Sequence, residues 1–294
     1  MKKLRTFLGA AGLAAAGLIL QAGAAGAAVT HPAAGHAPRL PTSPPPGYTV
    51  VYAGPYTAPA AAQTIGGATC PGTRELVGGA VSTYNNDTTM DINSSYPAGN
   101  TWVVRVNNNG ATASKFVVSA ICMKAGSGYT VVSAPGYANA GATDSASAAC
   151  PSRTVVVGGG VAASGTNLGI GINSSVGSKL GHGHTEWTAA LSNTSPSGDP
   201  FDVYAICRPK PAGYAVITGQ PVSVPPGGTG EPVAACPGLN SLPLSGGGFT
   251  AYQTTDSGLA FNMTIPGTGD WATVWENSGT ETRSVYTTVI CAGT

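Results

Sequence analysis

One pattern runs three times, end to end, through residues 47–294, and it constrains the fold more than any single residue does. Each copy opens on Gly-Tyr (Gly47-Tyr48, Gly128-Tyr129, Gly213-Tyr214) and continues with Cys-Pro (Cys70-Pro71, Cys150-Pro151, Cys236-Pro237). A glycine cluster follows: Gly78-Gly79, Gly158-Gly159-Gly160 and Gly246-Gly247-Gly248. Next come a tryptophan (Trp102, Trp187, Trp271) and a closing triplet, Ala120-Ile121-Cys122, Ala205-Ile206-Cys207 and Val289-Ile290-Cys291. In every copy the closing cysteine lies 20 residues beyond the tryptophan, and an asparagine (Asn108, Asn193, Asn277) lies 6 beyond it. Fixed spacings at this period mark tandem structural units, with boundaries at 47–127, 128–212 and 213–294.

The local pattern within each copy is strand. Trp102, Val104 and Val106 alternate with Val103, Arg105 and Asn107, and Phe116, Val118, Ala120 and Cys122 share one face of the closing strand. Period-two alternation rich in β-branched residues marks half-buried strands. Asn107-Asn108-Asn109-Gly110 and Glu276-Asn277-Ser278-Gly279 have turn chemistry, which predicts that each copy ends in an antiparallel hairpin. No stretch beyond the N-terminal leader has helical periodicity, so the fold class is all-β.

The six cysteines fall two to a copy, 52, 57 and 55 residues apart. Six cysteines allow 15 pairings. The repeat selects Cys70–Cys122, Cys150–Cys207 and Cys236–Cys291, because any other scheme ties equivalent positions in non-equivalent ways. A unit of about 80 residues has a thin core and open sheet edges that neighbouring copies can cover. The junctions, 123–127 and 208–212, are short. Both points favour a pseudo-threefold, prism-like body over a linear string of beads.

The leader predicts export. Lys2, Lys3 and Arg5 precede an uncharged stretch from Phe7 to Leu20, followed by Ala-x-Ala cuts at Ala22-Gly23-Ala24 and Ala25-Gly26-Ala27. This is the anatomy of a signal peptide over 1–27, and its alanine and glycine content favours cleavage over a permanent anchor. Residues 28–46, ending Pro41-Thr42-Ser43-Pro44-Pro45-Pro46, read as a semi-rigid linker. Removing the signal leaves 10 bases against 12 acids. A near-neutral chain with 9% charged residues has no footprint for nucleic acid or, after cleavage, for an anionic membrane.

Little points to catalysis. There is no Gly-x-Ser-x-Gly elbow, and the glycine clusters lack the helix and Lys-Ser/Thr that a phosphate loop requires, so they read as bulges or sites of close packing. Asp87 and Asp91 form a close pair that the other copies do not repeat, and they read as solvated loop acids. His182, His184 and Glu186 would share one face if their strand began early, a set suited to Zn²⁺ or Cu²⁺; Gly181 and Gly183 favour an exposed loop instead. The sequence therefore predicts neither enzyme activity nor a cofactor.

Cys-Pro, Gly-Gly-Gly, Asn-Ser-Ser (Asn93-Ser94-Ser95, Asn173-Ser174-Ser175), the tryptophan strand and Ala-Ile-Cys together resemble secreted actinobacterial β-repeat proteins, across 47–294. The resemblance implies a fold and an extracellular setting, and carries over no catalytic residue. Copy three departs from it with Asn262-Met263-Thr264. Two functional readings follow. One is an extracellular binding module for a glycan or cell-surface polymer, with Tyr84, Tyr96, Tyr252 and Trp275 near Asn-rich turns as stacking residues and repeated weak sites giving avidity. The other is a structural or interaction scaffold of the cell surface with no small-molecule site. A secreted hydrolase has the least support in the residues.

Overall fold

The computed structural model describes residues 44–84, 87–179, 185–238, 241–250 and 258–293. The expected signal peptide and most of the expected linker lie outside them. Among the described residues every regular element is a strand, and no helix is long and apolar enough to cross a membrane. Copy one supplies β1 (Thr49–Ala58), β2 (Ala62–Thr69), β3 (Glu75–Thr83), β4 (Met90–Ala98), β5 (Thr101–Asn108) and β6 (Ser114–Met123). Copy two supplies β7 (Thr130–Ala138), β8 (Thr143–Ala149), β9 (Val155–Ala163), β10 (Ile170–Lys179), β11 (Thr185–Asn193) and β12 (Asp199–Arg208). In copy three the first two strands are split, giving β13 (Ala215–Thr218), β14 (Val222–Val224), β15 (Thr229–Gly230) and β16 (Val233–Ala235). The rest are β17 (Ser241–Thr250), β18 (Leu259–Pro266), β19 (Asp270–Asn277) and β20 (Arg283–Gly293).

No copy keeps its strands in one sheet. The first sheet runs β1-β6-β3-β18-β19-β15, the second β2-β5-β4-β9-β12-β7 and the third β13-β20-β17-β10-β11-β8, with β14 and β16 off these paths on β20 and β19. Strands one, six and three of each copy thus join strands four, five and two of its neighbour, cyclically, making a closed pseudo-threefold prism. Each junction rests on one equivalent bridge: Val81 with Thr264, Val161 with Ser95, and Gly248 with Ser175. The expected terminal hairpin does not form, because β5 pairs with β2 and β4 whereas β6 pairs with β1 and β3. The Asn108 turn is a corner between sheets. Its amide donates to Ala58 O at 2.9 Å and Thr112 O at 2.8 Å, and Gly110 N–H donates to its Oδ1. Asn193 and Asn277 do the same in their copies. A fully buried asparagine tying one corner explains its fixed place after the tryptophan.

The interior explains the glycines. Trp102, Trp187 and Trp271 are at most 2% exposed. A Cβ on Gly79, Gly159 or Gly246 would lie 2.1, 2.4 or 2.3 Å from the indole of the same copy, so only glycine fits beneath the ring. One residue earlier the third strands of the three copies converge on the axis. A Cβ on Gly78 would lie 2.2 Å from Leu244 O, and one on Gly158 2.0 Å from Val77 O. Val77, Val157 and Leu244 are the extra residues of equivalent bulges, shown by register shifts against β6, β12 and β20. Each bulge turns backbone toward the next copy.

Two rings of hydrogen bonds close the circle. The opening tyrosines donate backward: Tyr48 Oη to Pro243 O at 2.8 Å, Tyr129 Oη to Leu76 O at 2.9 Å, and Tyr214 Oη to Val156 O at 2.9 Å. Asn93, Asn173 and Asn262, each the extra residue of a bulge in strand four, donate forward to Ile170 O, Leu259 O and Met90 O at 3.3–3.4 Å. The first two residues of the Asn-Ser-Ser segment are therefore buried, with Ser95 and Ser175 half-buried, and its asparagine joins copies. Disulfides Cys70–Cys122, Cys150–Cys207 and Cys236–Cys291 form within copies, with Cα atoms 5.7, 5.6 and 5.7 Å apart. The first runs from just beyond β2 to β6 and so staples two sheets.

Two expectations test this closure. Replacing Cys150 and Cys207 together with serine lowers stability by roughly 2–5 kcal/mol. Because the copies share sheets, calorimetry shows one cooperative transition moved down, not a two-step melt with the outer copies untouched. The second concerns the tyrosine ring. Burial, with Glu75 adding to it and Arg208 opposing, pushes the Tyr129 hydroxyl up to about 12. Burial raises Tyr48, with a contribution from Tyr52, and also Tyr214. A hydroxyl whose folded pKa exceeds its unfolded value of about 10 keeps its full contribution below pH 10 and loses it as pH rises toward and past 12. Urea unfolding at pH 8, 10 and 11.5 shows this loss. Tyr48→Phe lowers stability at pH 8 by roughly 1–2 kcal/mol and flattens the alkaline decline.

Candidate functional site

Equivalent positions of all three copies surround a pocket of about 230 Å³ at the asparagine-ring end of the axis. Counted from Asn93, Asn173 and Asn262, the residues two places earlier are Asp91, Gly171 and Ala260. Those five places after the tryptophans are Asn107, Ser192 and Glu276. Asn109, Thr194 and Ser278 form the rim. All of these except Asn107 line the pocket. The rim is held alike in each copy, by Asn109 N–H to Thr89 O, Thr194 N–H to Gly169 O and Ser278 N–H to Gly258 O, at 2.7–2.8 Å.

The backbone there is threefold, but the chemistry is not. Asp91, at the start of β4, accepts from Asn109 Nδ2 at 2.8 Å. Burial and the facing Glu276 raise its carboxyl to about 6 against that hydrogen bond. Glu276, near the end of β19, is also raised, by burial and by Asp87, while the Asn262 amide counteracts. Burial opposes ionisation of Asp87, yet hydrogen bonds from Ser114 and Thr89 bring its carboxyl below the ordinary value. Asn262 Nδ2 stands 3.3 Å from both Glu276 Oε2 and Met90 O, so one amide joins the Glu276 carboxylate to the residue preceding Asp91. Asp91 is thus a half-buried pocket residue and not a solvated loop acid: β4 begins one residue earlier and carries it onto the axis.

Of the four aromatics expected to present stacking faces, Trp275 does not. It is 0% exposed, its ring stacks on Phe261 at 4.1 Å, and Nε1 donates to Thr273 Oγ1 at 2.8 Å. Period two places it on the inner face with Trp271, and Gly248, where the other copies have Val81 and Val161, gives it room: a Cβ there would lie 2.8 Å from the indole. Tyr96 is half-buried and stacks on Tyr204 at 5.6 Å, Tyr84 is 45% exposed, and neither lines the axial pocket. Tyr252 lies outside the described residues, as do His182 and His184. Glu186, on β11, accepts from Thr188 Oγ1 at 3.3 Å. Among the described residues no three His, Cys, Asp or Glu side chains gather as metal ligands.

Sequence reasoning passed over Glu276 and undervalued Asp91. The signal that finds them is departure from the repeat at aligned positions: an acid stands where the other copies have Asn107 and Ser192, and another where they have Gly171 and Ala260. Compared with known protein families and with characterised proteins, the chain matches none.

The raised Asp91 carboxyl has a measurable sign. With a folded pKa near 6 above an unfolded value near 3.9, its contribution is complete below pH 4 and is lost as pH rises through 6. Asn cannot titrate, so Asp91→Asn gains roughly 1–3 kcal/mol relative to the wild type between pH 4 and pH 7. Denaturant unfolding of both proteins across that range shows the crossing.

Proposed function

We propose that the protein is an extracellular, non-catalytic binding module for a glycan or cell-surface polymer, and that the axial pocket takes a terminal unit of it. One observation carries this reading: the repeats agree where packing demands it and diverge where they line the pocket. Their divergent side chains there are carboxylates, hydroxyls and an amide, the groups that hydrogen-bond a polyol. The volume of 230 Å³ is below the roughly 300–1,000 Å³ of drug-sized sites, which suits one sugar unit. A single axial pocket makes binding monovalent per chain, in place of three weak sites adding avidity. Three disulfides favour an oxidising, extracellular setting.

A scaffold with no ligand is the second reading, favoured by the internal use of every repeated polar group: the clasping tyrosines, the bulge asparagines and the corner asparagines. Glycan arrays and cell-wall pull-downs with the mature chain separate the two. Binding is expected, with Thr194→Arg at the rim weakening it at least 10-fold at unchanged Tm. Empty arrays and pull-downs remove the binding reading and leave the scaffold. Release of reducing sugar from a bound polymer overturns the non-catalytic part.

A further inference from the structure

We propose that the axial pocket selects a ligand bearing a protonated primary amine: an amino sugar with a free ammonium group, in preference to its neutral or N-acetylated counterpart. This deepens the preceding reading and rests on the pocket being the binding site.

Charge is the first argument. The pocket holds Asp91 and Glu276, and none of its described lining residues is lysine, arginine or histidine. Two carboxylates facing each other without a counter-charge repel, and a cation between them relieves that repulsion. An anionic sugar or a phosphate would meet two like charges and be rejected.

The second argument is what Glu276 displaces. In copy one the same position is Asn107, whose Nδ2 donates to Ile170 O at 2.9 Å and to Leu168 O at 3.2 Å in copy two. It is part of the joint between those copies. A carboxylate has no donor for the matching carbonyls, so glutamate there gives up a joint hydrogen bond and places a charge in the pocket. The Asn262 amide, 3.3 Å from both Glu276 Oε2 and Met90 O, compensates part of that loss; the charge left facing the pocket is the part that a cationic ligand would answer.

Third, a buried acceptor beside the pair is unpartnered. Asn262 Oδ1 has no hydrogen-bond partner among the described residues and Asn262 is 1% exposed. In the other copies this oxygen accepts from Ser94 Oγ at 2.7 Å and Ser174 Oγ at 3.2 Å, and Met263 removes that donor. The same carboxamide holds Glu276. Asn262 does not itself line the pocket, so the acceptors that an ammonium with three N–H donors would meet there are the Asp91 and Glu276 carboxylates. On the rim, Thr194 and Ser278 supply hydroxyls suited to the sugar's own.

Calorimetric titration of the full mature chain with glucosamine, N-acetylglucosamine and glucose, and separately with CaCl₂ alone, at pH 7 tests the proposal. Charge-assisted hydrogen bonds predict at least ~10-fold tighter binding of the free amine than of either other sugar. Asp91→Asn and Glu276→Gln each reduce that preference about 5- to 20-fold. Thermal melts confirm that the variants fold. Should either fail to fold, Ser278→Lys, at an exposed rim residue, puts a cation at the pocket mouth and is expected to abolish binding. Equal affinity for all three sugars overturns the amine selectivity and leaves glycan binding intact. Binding of no sugar and no calcium overturns the amine site alone while arrays or cell-wall pull-downs stay positive, and sinks both readings when these are empty too. Amine binding unchanged by all three variants overturns the location, and calcium binding abolished by the same variants overturns the amine in favour of a metal.

Discussion

The meeting of three backbones on the axis governs the rest of the molecule. At Gly78 and Gly158 the third strands approach so closely that a side chain on either would penetrate a carbonyl of the neighbouring copy. Ser245 fills the third position and is 1% exposed. With the backbones that near, the sheets cannot splay. Each indole then has one place to lie, over the next glycine in strand three of its own copy, and the three large rings fill the interior without a central cavity beyond about 20 Å³. Close packing of this kind tolerates very little change in volume. Copy three shows the compensation: Trp275 and Phe261 enlarge one side, and Gly248 in place of valine gives way.

The bulges convert this packing into a closed ring. Each copy spends one extra residue in strand three and one in strand four, and both face a neighbour. The asparagine amides point one way around the axis and the tyrosine hydroxyls the other, at opposite ends of the prism, so rotation of one copy against the next breaks bonds at both ends. Copy three fits less well. There Thr264 Oγ1 accepts from Val81 N–H, whereas Ser95 and Ser175 accept from their tryptophans, and Trp271 Nε1 has no partner among the described residues.

Much of this was legible from spacing alone. The copies, the all-β class, the disulfide pairing and the buried tryptophans follow from position counting, because each depends on a residue type recurring at a fixed interval. What spacing does not convey is the partner. Alternation identifies Thr101–Asn108 and Ser114–Met123 as strands but cannot tell that they enter different sheets, since a buried corner asparagine and a hairpin asparagine are the same letter. The glycine triplets mislead for a similar reason: Gly246 aligns with Gly79 and Gly159, so the third triplet is displaced by one residue, and only Trp275 explains why. The candidate site was least visible. Asp91 and Glu276 are 185 positions apart in the chain, and their proximity exists only because copy three returns to copy one.

That return also fixes the number of copies. In a linear repeat array each added unit extends the stack, but here every sheet is half one copy and half another, and the joint between Val81 and Thr264 spans 183 residues. A fourth unit would find every joint between strand three of one copy and strand four of another already taken, and a chain with two would leave half-sheets without their partners. A single unit cut free would find its missing halves only in two more chains like itself, as a trimer. The fused chain carries that trimer's symmetry in one molecule, and so gains what a trimer of identical chains lacks: freedom to place a different side chain at each of three equivalent positions on the axis.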